Sequence, residues 1–213
     1  MYQGVIFDLD GVICTTDEFH YLAWKALADK EGIPFDRETN NLLRGVSRMA
    51  SLEIILRKAS RSYTDEEKAA LAAYKNELYR DYLKQITPSD LDPDVLRTLQ
   101  TLKDKGVRIA IGSSSKNTKT ILKNLGIMDQ FDAIADGNDI QHSKPDPEVF
   151  LVAANKLGLE PASCVVVEDA FAGIEAAKRG GFAAAGIGDA AKDPEADYVL
   201  SVLSDVLPIA LPA

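Results

Sequence analysis

The heptapeptide Val5-Ile6-Phe7-Asp8-Leu9-Asp10-Gly11 decides the fold. Three strand-forming residues with no polar interruption read as a buried parallel strand, because a strand covered on both faces is continuously apolar rather than alternating. Asp8 and Asp10 follow at i and i+2, so an extended backbone sends both carboxylates to the same side before Gly11 lets the chain turn. Open α/β sheets bind their ligands beyond the carboxyl ends of the strands, which is where this pair would lie.

Working outward, Val107 to Ile111, Phe131 to Ala135 and Val165-Val166-Val167 are further apolar, β-rich runs ending in small or acidic residues. Helical periodicity separates them. Val95, Leu96, Leu99 and Leu102 share a face over 92–105, Ile121, Leu122 and Leu125 over 116–126, and Val149, Phe150, Ala153 and Leu157 over 146–157. Gly106, Gly126 and Gly158 stand where these helices should stop. The alternation predicts an α/β fold, a doubly wound parallel-sheet (Rossmann-like) core.

The first crossover is anomalous. A parallel connection needs about a dozen residues, yet nearly a hundred separate Asp8 from Val107. Residues 17–31, 47–59 and 64–86 have helical patterns, and in the last of these Leu71, Tyr74, Leu78 and Tyr82 form one face that should pack within an inserted module. The expected organisation is an α/β catalytic core from 1–15 and 87–213 with an α-helical cap domain at 16–86, placed to act as a lid over the strand ends.

Composition bounds the rest. With 213 residues, 46% hydrophobic and 27% charged, the chain is an ordinary globular protein. A net charge of −9 argues against nucleic acid as a partner. Cys14 and Cys164 show no metal or disulfide spacing and read as reduced thiols. No apolar run approaches the ~18 residues of a membrane span. A cytoplasmic monomer acting on a small molecule is expected.

The strand ends form a coherent set: Asp8 and Asp10, then Ser113, then Lys144, then Glu168 and Asp169. Four carboxylates in one crevice repel, each pair at ~4 Å by about 1 kcal/mol in water and about 4 kcal/mol at an effective dielectric near 20. Such a site needs a cation, and hard oxygen donors without His or Cys favour Mg²⁺. Mg²⁺, Lys144 and the Ser113 hydroxyl would bind a phosphoryl group, leaving a carboxylate such as Asp8 to attack phosphorus while a second one moves the hydroxyl proton. Taken alone, Asp-x-Asp also fits caps and solvated turns; matched strand ends are what favour the chemistry.

Asp8-Leu9-Asp10-Gly11, Ser113, Lys144-Pro145 and Glu168-Asp169, in this order across nearly the whole chain, resemble the four motifs of the haloacid dehalogenase superfamily of phosphotransferases. The insert after the first motif is similar to the helical cap of its first subclass. Trp24-Lys25-Ala26-Leu27 after His20, Arg44-Gly45-Val46-Ser47-Arg48, Lys75-Asn76 and Ser113-Ser114-Ser115-Lys116-Asn117 resemble segments of its hexose phosphate mutases. The resemblance implies that Asp8 is the nucleophile and Asp10 the general acid/base, and that Asp8, the Asp10 carbonyl and Asp169, supported by Glu168, hold Mg²⁺. It implies that Ser113 and Lys144 bind the transferring phosphate, and that Arg48, Ser115, Lys116 and Asn117 bind a second, non-reacting one. The guanidinium fork suits that role, and Lys116 is expected to open a helix whose amino end favours an anion. Gly45, Val46, Ser47 and Ser114 join the implied substrate-binding set, with Thr16 in the hinge, His20 coupling the cap to Asp10 and Lys75 reaching the sugar. Trp24 either lines the site or packs the cap.

The implied reaction interconverts β-glucose 1-phosphate and glucose 6-phosphate through an aspartyl-phosphate, with glucose 1,6-bisphosphate as intermediate and activator. A Mg²⁺-dependent sugar-phosphate phosphatase is the alternative, and a non-catalytic sensor a third reading. The chain departs from the common pattern at Thr15, Met49 and Ala170, none of which removes a catalytic group.

Overall fold

A computed structural model describes residues 1–43 and 46–211. Six strands, β1 (Gly4–Phe7), β2 (Arg108–Gly112), β3 (Ala133–Ala135), β4 (Cys164–Glu168), β5 (Ala183–Gly186) and β6 (Tyr198–Val199), form one sheet. Its order is β3-β2-β1-β4-β5-β6 and every pairing is parallel. Val5 stands opposite Ile109 on one side and Val165 on the other, so β1 is central and all four of its residues are buried. This is the doubly wound arrangement, and the strand order reverses between β1 and β4, the position at which such sheets open a ligand crevice.

The helices are α1 (Asp17–Lys30), α2 (Arg37–Asn41), α3 (Arg48–Leu56), α4 (Asp65–Leu83), α5 (Pro93–Asp104), α6 (Thr118–Asn124), α7 (Glu148–Leu157), α8 (Phe171–Arg179) and α9 (Leu207–Ala210). Local chemistry fixes several starts. Thr64 and Glu67 form a reciprocal capping box on α4, Asp36 caps α2, and Asp92 followed by Pro93 opens α5. Gly106, Gly126 and Gly158 all adopt positive φ (75°, 72° and 66°) just beyond their helices, a conformation glycine enters without steric cost.

Two apolar layers sandwich the sheet. Phe7, Ile109, Ile111 and Val167 face α5 and the carboxyl-terminal segment, whereas Ile6, Ala110 and Val166 face α7 and α8, where Phe150 and Ile174 pack. Gly112 ends β2 because Phe150 fills the space beside it: a Cβ there would lie 2.6 Å from Phe150 Cδ1. The inserted segment between β1 and β2 carries α1 to α4 and a separate apolar cluster around Trp24, Leu27, Phe35, Leu52, Ile55 and Leu71.

Helix α4 departs from the expected packing. Tyr74 does join the insert's own cluster, but Leu78 and Tyr82 pack against the main core, where Tyr82 stacks on Phe19 with centroids 6.1 Å apart. The buried stripe is Leu71, Ala72, Lys75, Tyr79 and Leu83. The helix serves two seats at once, so no single apolar face describes it.

Phe150 touches both β2 and the residues beyond its end. Phe150→Ala should lower unfolding free energy by about 3–5 kcal/mol through the cavity it leaves, measured by urea denaturation.

Candidate active site

The Asp8 amide donates to the Val167 carbonyl (2.9 Å), continuing the β1–β4 ladder by one residue and fixing its carboxylate at the sheet's edge. Lys144 reaches this point from the loop between β3 and α7. Its ammonium donates to Asp8 Oδ1 (2.5 Å) and Glu168 Oε1 (2.6 Å), with all three side chains buried, and the Phe150 ring lies 4.5 Å beneath it. Glu168 spends its other oxygen on the Ala170 amide (2.8 Å). Gly11 and Gly173 are required by close approach: a Cβ on the first would overlap the Asp169 carboxylate and on the second the Glu168 carboxylate.

Ser113 follows β2, its amide bonded to the Ala135 carbonyl (3.1 Å) and its hydroxyl accepting from the Ser115 amide (3.2 Å). The turn continues, with Asn117 N–H donating to Ser115 Oγ and Thr118 Oγ1 to the Ser115 carbonyl. These bonds hold 115–118 as a turn, so α6 begins at Thr118 with Asn117 as its cap. Lys116 therefore lies exposed ahead of the cap, not at the first position of a helix as the sequence suggested. Ser114 shares the cavity wall. Across the gap, Asn117 Nδ2 donates to Asn76 Oδ1 of α4 (2.9 Å), joining core to insert.

These residues bound one cavity of about 500 Å³, which also takes in Asp10, His20, Trp24, Val46, Ser47, Arg48 and Lys75. Thr16, the residue before α1, abuts it through its hydrogen bond to Asp10. Gly45 and Arg44 lie outside the described residues. Ser47 caps α3 by accepting from the Ala50 amide, which sets Arg48 at the helix's first position facing the cavity. Trp24 does both things considered for it: its buried ring belongs to the insert's apolar cluster and also lines the cavity, with Lys75 Nζ 4.7 Å above it. The sequence reading missed Tyr79, Asp17 and Gln141 as lining residues; Tyr79 in particular stands four residues beyond Lys75, one helical turn along the same face.

The electrostatics divide the cavity. Burial, with the negative neighbours Glu168 and Asp169, pushes the Asp8 carboxyl well above the usual carboxylate range against the opposing pull of Lys144. Burial alone would lower Lys144, but Asp8 and Glu168 outweigh it and hold the ammonium charged. Asp10 is pushed up to about 6, chiefly by burial and against its bond from Thr16. On the insert side, burial drives His20 and Lys75 well below their ordinary values, reinforced in both by Arg48. Lys75 Nζ and His20 Nδ1 are hydrogen-bonded to each other (2.8 Å).

Four carboxylates against one ammonium leave the core end of the cavity strongly negative. The side chains of Asp8 and Asp169 and the Asp10 carbonyl offer hard oxygen donors there, a set that fits a divalent cation such as Mg²⁺.

Residues 2–181 match the model of the haloacid dehalogenase-like hydrolases. The chain belongs to that family. It is 45% identical over 206 residues to a β-phosphoglucomutase of Bacillus subtilis (strain 168), covering 96% of this chain and 91% of that protein. A fructose-1-phosphate phosphatase of Escherichia coli (strain K12) is 34% identical over 183 residues, covering 84% of this chain and 93% of the relative. Among solved structures, a β-phosphoglucomutase from Clostridium difficile superposes with a TM-score of 0.91 at 38% identity, covering 98% of this chain and 95% of that one. Membership of the haloacid dehalogenase-like family makes this chain an enzyme, and among the described residues no helix is long and apolar enough to cross a membrane.

Lys75 is a buried cation whose folded state binds its proton more weakly than the unfolded chain does. Its contribution at pH 7 is therefore destabilising, and the penalty fades as pH rises toward the ordinary lysine value of about 10.4. Lys75→Met should raise Tm by a few degrees at pH 7, less at pH 10, while lowering turnover of the natural substrate. Thermal melts at the two pH values check the sign.

Proposed function

We propose that the chain is a β-phosphoglucomutase, interconverting β-glucose 1-phosphate and glucose 6-phosphate through a phosphorylated Asp8 and a glucose 1,6-bisphosphate intermediate. What supports this reading is a single cavity lined both by Lys144 and Ser113 and by Arg48, Ser115, Lys116 and Asn117, which would serve as two groups of anion-binding side chains. Lys144 and Ser113 stand beside Asp8, while Arg48 enters from the insert opposite the Ser115–Asn117 turn. A phosphatase needs only the first group. The second suits a substrate that is phosphorylated at both ends while it turns over, and the identity to the Bacillus subtilis mutase supports the same reading.

In that reaction an Asp8 oxygen attacks phosphorus and the sugar oxygen departs, or the sugar hydroxyl attacks phospho-Asp8 and the carboxylate departs. Lys144 holds Asp8 in line and neutralises charge gathering on the phosphoryl oxygens. Mg²⁺, held by the side chains of Asp8 and Asp169 and the Asp10 carbonyl with Glu168 in support, would supply further charge neutralisation when bound. Asp10, poised near 6, takes the proton from the attacking hydroxyl and returns it to the departing oxygen in the other half-reaction. Arg48, Ser115, Lys116 and Asn117 hold the idle phosphate, Val46, Ser47, Ser114, Trp24 and Lys75 flank the sugar, and His20 and Thr16 link the insert to Asp10. Residues 16–86 would then be the cap domain, and 1–15 with 87–213 the catalytic core. Glucose 1,6-bisphosphate would act as activator by phosphorylating Asp8, and the enzyme would work as a cytoplasmic monomer.

The test follows both products from β-glucose 1-phosphate with Mg²⁺, with and without glucose 1,6-bisphosphate. Activator-dependent glucose 6-phosphate with little inorganic phosphate is expected; inorganic phosphate as the main product, indifferent to the bisphosphate, would make the chain a sugar-phosphate phosphatase. Arg48→Ala should lose mutase turnover by about 100-fold, as expected for a charged, bidentate phosphate contact, while phosphorylation of Asp8 by acetyl phosphate continues. Asp8→Asn should abolish both.

A further inference from the structure

The turn from Ser114 to Asn117 rests on the loop that follows β3. The Gly137 amide donates to the Ser115 carbonyl (3.1 Å), and Asn138 Nδ2 donates to the Lys116 carbonyl (3.2 Å). In a trans peptide the carbonyl and the N–H that follows it point opposite ways. Holding these two carbonyls therefore turns the Lys116 and Asn117 amides away from the loop. The turn meets the insert through Asn117, whose Nδ2 donates to Asn76 Oδ1 (2.9 Å).

The loop that does the holding is itself braced. Asp136 is fully buried, and its Oδ1 accepts from both the Asn138 amide (2.8 Å) and Asn138 Nδ2 (2.9 Å). A carboxamide nitrogen carries two hydrogens. In Asn138 one is given to Asp136 and the other to the Lys116 carbonyl, so the side chain has a fixed seat. Asp139 closes the loop, accepting from the Asp136 amide (3.0 Å) while paired with Lys156 of α7 (2.9 Å). Gly137 supplies the room: a Cβ there would lie 2.3 Å from the Ser114 carbonyl oxygen and 3.0 Å from Lys116 Cγ. Asn138 is not among the residues that line the cavity, so it reaches a ligand only through the turn.

We propose that Asn138 is a positioning residue for substrate affinity: seated on Asp136, it holds the Lys116 carbonyl and so sets the Ser115–Asn117 turn to receive the substrate's non-reacting phosphate, with Gly137 leaving the space the turn occupies. The proposal rests on the reading of that turn as the second phosphate site of a mutase. No bond is made or broken at Asn138. The phosphate on the turn is not the one transferred, and a slackened turn still shares it with Arg48, so turnover continues once substrate is bound and the loss falls on KM. Asp8 and Lys144 keep their own anchors, each other and Glu168.

The experiment measures kcat and KM for glucose 6-phosphate formation from β-glucose 1-phosphate, with Mg²⁺ and glucose 1,6-bisphosphate, in full-length Asn138→Ala and Gly137→Ala. Asn138→Ala should raise KM about fivefold, the size expected for one neutral hydrogen bond, with kcat within about twofold and the rate of Asp8 labelling by acetyl phosphate unchanged. Gly137→Ala, which must displace the Ser114 carbonyl, should raise KM further. An unchanged KM in Asn138→Ala overturns the proposal. So does a fall in kcat alone, which would report lost folded protein, or a parallel loss of Asp8 labelling, which would place the damage at the other end of the cavity. If one variant does not fold, KM in the other decides. Wild-type protein yielding no glucose 6-phosphate fails the mutase reading and the proposal with it, whereas a working mutase whose KM is indifferent to Asn138→Ala fails the proposal alone.

Discussion

The site depends on one ammonium group. Lys144 lies between Asp8 and Glu168, buried with both, and bonds to each. Without it, the ends of β1 and β4 would set carboxylates against one another in a region of low dielectric, at about 4 kcal/mol for each close pair even with generous screening. The sheet itself forces this proximity, since β1 and β4 are hydrogen-bonded neighbours, β4 ends in Glu168 and Asp8 follows β1 directly. Glycines at 11 and 173 then let the remaining carboxylates close in where any side chain would overlap them. A lysine reaching in from the far side of the switch point makes the crowding tolerable, and the charge it leaves uncompensated is what calls for a divalent cation.

The same accounting explains why the insert's contribution is cationic. Arg48 and Lys75 face the cavity from α3 and α4, and each is weakened as a proton binder by burial. A desolvated cation is costly unless a partner or ligand supplies the opposing charge. Among the described lining residues the insert adds one acid, Asp17, to these two cations, so its side is positive on balance against the carboxyl-rich core end.

How far the sequence could be read follows from how each part is buried. The strands β1, β2 and β4 were legible because helices cover both faces, which makes them continuously apolar, and the acids following β1 and closing β4 stood out against that background. Strand β5 was not: Ala183-Ala184-Ala185-Gly186 has no bulk because Gly186 lies against the Ala190 backbone, where a larger residue would overlap. Strand β6, with two residues, is too short for any pattern. Lys116 was placed two residues too far into its helix because the Ser115 hydroxyl and carbonyl bonds that delay the start leave no mark in hydrophobic periodicity.

Helix α4 shows why the active face of the insert was harder to see than its packing face. Periodicity finds apolar stripes, and it selected Leu71, Tyr74, Leu78 and Tyr82. Besides Leu71, Ala72 and Leu83 the fold buries Lys75 and Tyr79, an amine and a phenol spaced one turn apart, each with a partner across the helix pair: His20 for the amine, Thr16 for the hydroxyl. Thr16 and His20 are themselves one turn apart at the start of α1. Two polar pairs on two helices, facing each other beside Asp10, form a buried polar seam that apolar patterning treats as an interruption. The seam carries the contact between the insert and Asp10, and its polar groups can be buried there because each is paired.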